Sequence, residues 1–226
     1  MSIEESVIND IINNMVLVKG GTMLVQSINS TTDHQPFISL SPYYINKFPV
    51  SKKEWFVIMG NNYRKDECDN YPVVNVSWYD CYDFIKRLNR LTKGAFRLPT
   101  KIEWEYAAGG GELSHGYIYS GSNNPDEVAW YKDALQGAVH EIGIKNPNEQ
   151  GLYDMSGNVW EWCQDLCPYH NNPLNFKNDI IENYKQAHRV MKGGSGGSTK
   201  ELSRIDFTYG QHPDFRGCYV GFRLAF

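Results

Sequence analysis

Long apolar runs, a dominant charge and a cysteine framework are all missing from this chain of 226 residues. No apolar stretch approaches the roughly 18 residues needed to cross a bilayer, so membrane insertion is not expected. Lys and Arg number 22 against 26 Asp and Glu, a formal charge of −4. That balance offers no basic field to nucleic acid, and this partner class is set aside. The cysteines, Cys68, Cys81, Cys163, Cys167 and Cys218, are odd in number and sparse, which fits reduced thiols rather than a disulfide scaffold. Cys163 and Cys167 are the close pair, and structural zinc needs a second pair or histidines beyond His170. No HExxH or His-x-His spacing occurs. The opening MSIEESVIND has neither the basic nor the apolar region of a signal peptide. The chain is therefore expected to be cytoplasmic unless a lipoprotein leader once preceded it, which would place it on the cell surface.

What is present reads as a globular, loop-rich α+β chain. Apolar residues make up 41% and charged residues 21%, enough to bury a core. Neither a repeat nor a low-complexity linker divides the chain, so a single domain over residues 1–226 is expected. Helix starts are the clearest local signals. Ser2 with Glu5, Ser51 with Glu54, Ser77 with Asp80 and Thr100 with Glu103 each pair a hydroxyl with a carboxylate three residues on, the spacing of a capping box. The first helix offers Val7, Ile8, Ile11 and Ile12 on one face. The third, from Trp78 to about Leu91, puts Tyr82, Ile85, Leu88 and Leu91 on its apolar side. Short strands are expected at 16–20, 37–45, 128–131, 190–192 and 221–225. Trp55, Trp78, Trp104, Trp160 and Trp162 sit beside apolar patterns and are expected in the core. From Gly109 to Gly221 turn chemistry dominates, with Asn-Pro or His-Pro steps at 124–125, 146–147, 172–173 and 212–213.

The last stretch, RVMKGGSGGSTKELSRIDFTYGQHPDFRGCYVGFRLAF from Arg189 to Phe226, differs from the rest. Ordinary frames enclose an interior in which Phe207, Tyr209, His212, Phe215, Cys218 and Tyr219 are scattered among Gly, Ser, Thr and Asp without periodicity. Rings in an adaptable polar setting are the composition of a binding surface. An irregular loop with inward rings would have the same composition.

Several phrases together carry a family resemblance. They are PVVNVSW at Pro72–Trp78, FRLPT at Phe96–Thr100 running on to EWEYA, GLYDMSGNVWEW at Gly151–Trp162, KGGS at Lys192–Ser195, and GFR at Gly221–Arg223. In this order the chain, over about residues 15–226, resembles the formylglycine-generating-enzyme-like (sulfatase-modifying factor) family. The resemblance implies a variant of the C-type-lectin fold: a few helices, a small twisted antiparallel sheet and much ordered loop.

Oxidising members of that family carry two cysteines at the third and eighth positions after the Gly-Gly-Ser serine. Here those positions are Ser198 and Ser203, and a hydroxyl neither exchanges with disulfides nor binds soft metals well. The chain is therefore expected not to be an oxidase and to need no redox cofactor. A second class in the family, the variable proteins of diversity-generating retroelements, fits better. In those proteins adenine-directed errors convert Asn codons into codons for many residue types. Gly197, Ser198, Thr199, Leu202, Phe207, Tyr209, Gly210, His212, Phe215, Gly217, Cys218 and Tyr219 are all reachable in that way. Gln211 is not, and Gly196 replaces a Trp. With Asp206 and Gln211 added, these residues form the expected ligand-binding set. Phe207, Tyr209, His212, Phe215 and Tyr219 would be its anchors. The resemblance implies a non-catalytic, monomeric binder of a clone-specific protein or other macromolecule. The alternatives are a fixed, catalytically silent interaction module or a copper- and oxygen-dependent oxidase.

Asp154, Asn158 and Glu161 offer oxygen ligands around a Gly-containing turn, and the resemblance implies a structural Ca2+ there. Alternatively, Asp154 and Asn158 make turn hydrogen bonds while Glu161 pairs with a base.

Overall fold

The computed structural model describes residues 2–24, 37–60, 64–132, 137–167 and 187–226. His170 and the Asn172–Pro173 step lie outside the described residues. The capping boxes read from the sequence form as expected. Helix α1 (Ile3–Asn13) starts at Ser2, α2 (Lys52–Met59) at Ser51, α3 (Trp78–Thr92) at Ser77 and α4 (Lys101–Ala108) at Thr100. In each, the hydroxyl accepts the third backbone N–H and the acidic side chain returns to the cap. Such a cap contributes about 1 kcal/mol, so it fixes where a helix begins more than whether the chain folds. Helix α2 stops at Gly60 in the left-handed region (φ 71°), and a single helical turn, α5 (Pro125–Val128), follows Asn124.

Strands β1 (Met15–Val18) and β4 (Tyr43–Asn46) pair antiparallel, as do β2 (Gly21–Leu24) and β3 (Phe37–Leu40). The larger sheet holds β5 (Trp160–Cys167), β6 (His188–Lys192), β7 (Tyr209–Gln211) and β8 (Val220–Gly221) in the order β7-β6-β5-β8. Its β5–β8 pair is parallel and the other pairs are antiparallel. After β8 the chain returns along β4: Asn46 donates to the Leu224 carbonyl, and Tyr44 and Phe226 exchange backbone bonds. Val128–Tyr131 is not a strand; its first residue ends α5, and Trp130 makes an isolated bridge to Gly157.

Two buried clusters hold these pieces together. One joins α1, α2 and α3 to Trp160, Trp162, Met191 and Phe222; the other joins β1, β4 and α4 to Met155, Cys163 and Val190. Helix α3 buries Cys81, Phe84, Ile85 and Leu88, whereas Tyr82 and Leu91 are exposed. Ile85 and Leu88 are thus buried as expected, while Cys81 and Phe84 fill the places expected of Tyr82 and Leu91, and Tyr82 stacks on Trp78 at the surface. Ile12 of α1 is exposed for the same kind of reason: Val7 and Ile11 already fill the contact.

Candidate functional site

The C-terminal stretch lies across one side of the larger sheet. It leaves β6, turns through Gly193–Gly194–Ser195, makes a 3-10 turn at Lys200–Ser203, returns as β7, and re-enters as β8. Much of its backbone is held by groups other than the candidate ligand side chains, although Gln211 Oε1 accepts the His212 N–H and His212 Nδ1 accepts the Asp214 N–H. Lys132 N–H donates to the Ser198 carbonyl, Trp78 N–H to Pro213, Asn75 N–H to Gly217 and Trp160 N–H to Tyr219, while Ile205 N–H donates to Ile118. From beneath, the fully buried Lys192 ammonium donates to the Ile205 and Phe207 carbonyls, the Thr208 hydroxyl and the Glu105 carboxylate. Burial lowers the Lys192 pKa, and the neighbouring Glu105 opposes that effect.

The candidate ligand residues are not equivalent on this frame. Thr199, Asp206, Phe215 and Cys218 are exposed. Gly197, Leu202, Phe207, Tyr209, Gly210, Gln211, His212, Gly217 and Tyr219 are half-buried. Phe207 and Tyr209 tilt against Trp160, with ring centroids 6.1 and 5.6 Å away. Tyr219 lies over Gly197 and donates its hydroxyl to the Gly137 carbonyl at 2.9 Å. Of the five expected anchors, Phe215 therefore presents its ring most freely, at 40% exposure. The other rings divide their area between solvent and scaffold.

Ser198 departs from the expected set. It is buried, and its hydroxyl lies 2.8 Å from that of Ser195. Gly210 is also constrained, since a Cβ there would fall 2.5 Å from Cys167 Sγ. Ser203 is fully buried beneath Gly194. Two ion pairs flank the face. Arg204 binds Asp206 through two bonds, and Arg216 binds Asp80 of α3 at 2.8 Å through two more. Partial burial pushes the Asp80 carboxyl up, but the Arg216 and Ser77 bonds outweigh it and hold the pKa below the usual value.

The Asp154–Glu161 segment is a neighbouring structural knot. Asp154 and Asn158 adopt left-handed backbone (φ 57° and 63°). The Asp154 carboxylate accepts the Gly143 N–H and the Asn158 amide, and Asn158 Oδ1 accepts the His140 N–H. Both Glu161 oxygens face the Arg223 guanidinium at 2.7 Å, and Trp104 Nε1 donates to one of them at 2.6 Å. These oxygens already have donors, and a guanidinium stands beside them. The donor set does not fit Ca2+, and it matches the turn-and-base alternative. Burial raises the Asp154 pKa to about 6.

The fold just described is shared with known proteins. The profile of the sulfatase-modifying factor enzyme 1-like domain matches residues 4–226. The chain belongs to that family. Chaperone protein LppX of Paenibacillus barcinonensis is 33% identical over 86% of this chain and 82% of its own length. The inactive C-alpha-formylglycine-generating enzyme 2 of Bos taurus is 28% identical over 78% of this chain. This chain spans 57% of that relative's length. Among solved structures, Treponema denticola variable protein 1 superposes with a TM-score of 0.76 and 26% identity, covering 93% of this chain and 94% of that one. The chain thus has the formylglycine-generating-enzyme type of C-type-lectin-like fold, and the family includes a member named as inactive. No helix among the described residues is long and apolar enough to cross a membrane.

Proposed function

We propose that this chain is a non-catalytic binding protein in which residues 189–226 present a ligand-contacting face. Its variable side chains would be supplied by retroelement-directed diversification. The observation that carries this reading is the backbone clamp. The carbonyls of Ile205, Phe207, Pro213, Gly217 and Tyr219 are held by Lys192 and by scaffold N–H groups. The shape of the face is therefore insulated from the identity of most displayed residues. A preordered backbone limits the entropy lost on binding whichever side chains are shown. Similarity to a protein titled variable protein 1 supports the same reading. Phe215, Tyr209, Tyr219, His212 and Phe207 are the proposed anchors, with Thr199, Leu202, Asp206, Gln211 and Cys218 around them. The ligand would be a protein or other macromolecule, specific to each clone. A cell-surface lipoprotein form would give such a face access to outside partners. Serine at 198 and 203, both buried, supports the absence of thiol-based oxidase chemistry.

A second reading, a fixed interaction module, is favoured by the 33% identity to a relative named as a chaperone. Sequencing the DNA beside the gene separates the two. A near-copy of the codons for residues 189–226, differing at template adenines and lying next to a reverse transcriptase, is the expected result. If no such copy exists, the diversified reading is lost and the fixed module stands.

A further inference from the structure

Away from the proposed face, the end of α2 and the outer side of α3 flank an open, solvent-exposed cavity of about 440 Å3. Met59 and Leu91 supply apolar wall, and Asp83, Lys86, Arg87 and Arg90 supply charge. Three cations thus share the cavity with one carboxylate, in a chain whose net charge is −4. None of the three forms an ion pair with a described residue. By contrast Arg97, Arg204, Arg216 and Arg223 each hold a carboxylate. Lys86 and Arg90 stand four residues apart on α3 and Arg87 and Arg90 three apart, spacings at which like charges repel. Gly60 makes room for one of them, since a Cβ there would lie 2.5 Å from Arg87 Nη2. The negative end of α2 accounts for a single cation at that position, but not for three.

We infer that this cavity is a binding site for a phosphate group, carried either by a free small molecule or by a lipid headgroup. Guanidinium forks match phosphate oxygens bidentately, and an ammonium adds a point charge beside them. The apolar wall of Met59 and Leu91 suits an ester with a carbon portion rather than a bare ion.

The probe is inorganic pyrophosphate, titrated calorimetrically into the intact chain at constant ionic strength. In parallel, the chain is sedimented with vesicles of phosphatidylglycerol or of phosphatidylcholine. One saturable pyrophosphate site is expected, abolished in the K86Q/R87Q/R90Q variant, whose unliganded melting temperature should be unchanged or higher because the repulsion is gone. Arg90→Gln alone should weaken binding about tenfold or more, and Asp83→Asn should tighten it a few-fold. Pelleting with phosphatidylglycerol alone, lost in the same variant, would assign the phosphate to a lipid. Equal binding by the parent and the triple variant would overturn the inference. So would saturable binding of a poly-glutamate peptide without any of pyrophosphate or vesicles, since the cations would then be reading carboxylates.

Discussion

Lys192 Nζ lies 2.7 Å from Glu105 Oε1, with the lysine side chain wholly excluded from solvent. The pair joins β6 to α4 and, through three further bonds from the same ammonium, holds the chain from Ile205 to Thr208. A buried pair of this kind is poor evidence of net stabilisation, because both ions lose water. Removing one partner is nevertheless costly, since the other is left buried. Lys192→Met should lower unfolding free energy by about 3–5 kcal/mol in urea titrations. It should also raise amide exchange between residues 205 and 209 above the rest of the sheet. A uniform loss without that local signature would mean that Lys192 does not position the face.

Asp154 gives the chain a pH signature. Its carboxyl is shifted by burial from 3.8 to about 6. The folded state therefore binds this proton more tightly than the unfolded state. The contribution is fully present below pH 4 and is lost as pH rises through about 6. Its size is on the order of 3 kcal/mol. Urea midpoints measured between pH 4.5 and 7.5 should show this fall in the parent chain. Asp154→Asn, which keeps an oxygen for the Gly143 N–H and tolerates left-handed backbone, should remove it. Parallel pH profiles for the two chains would show that Asp154 is not the responsible group.

The same knot makes a prediction about calcium. Glu161 is matched to Arg223 and Trp104, and Asp154 to Gly143 and Asn158, so neither millimolar EDTA nor added CaCl2 should move the melting temperature. A saturable rise with micromolar Ca2+ would require these side chains to rearrange and would restore the cation site.

How much of this was legible in the chain depends on the range of the forces involved. Helix starts at Ser2, Ser51, Ser77 and Thr100 were readable because a cap is satisfied within three residues. Strand β5 was not, although it is the longest at eight residues. Its WEWC half is buried on both faces, so no alternation marks it, and its pairing partners lie dozens of residues away. The proposed binding stretch stands out by its composition, which does not say which of its residues face outward. Gly210 against Cys167 and Ser198 against Ser195 are contacts that periodicity cannot carry. Likewise Lys192 reads as an ordinary strand-end lysine until the fold brings the Glu105 carboxylate, the Ile205 and Phe207 carbonyls and the Thr208 hydroxyl around it.

The displayed rings should separate in stability tests. Phe215→Ala should change unfolding free energy by no more than about 0.5 kcal/mol, as for an exposed side chain. Tyr219→Phe loses the bond to the Gly137 carbonyl and should cost about 1 kcal/mol. Tyr209→Ala uncovers Trp160 and should cost about 2 kcal/mol or more. A ligand found for this face should lose affinity with Phe215→Ala while the fold is unaffected. If Phe215→Ala instead destabilises the chain as much as Tyr209→Ala, the ring belongs to the core and the proposed anchor is lost.

The glycines of the KGGS frame offer a test of how the display loop is seated. Gly194 has φ 72°, and a Cβ there would fall 2.5 Å from Ser203 Oγ, 2.8 Å from Ser203 Cα and 2.9 Å from the Leu202 carbonyl. Two of those neighbours are backbone, so they cannot swing away. Gly151 has a similar φ of 77° but nothing within 4 Å of the added carbon. Gly151→Ala therefore isolates the conformational term, about 1–2 kcal/mol. Gly194→Ala should cost that plus the displacement of the Leu202–Ser203 turn, and so should exceed it by at least about 1 kcal/mol. Ser203→Ala in the Gly194→Ala background should recover only part of the loss, because it relieves the hydroxyl contact and leaves both backbone ones. Equal losses for the two glycine variants would mean that the turn yields freely. The display loop would then be seated by Lys192 and the scaffold N–H groups alone.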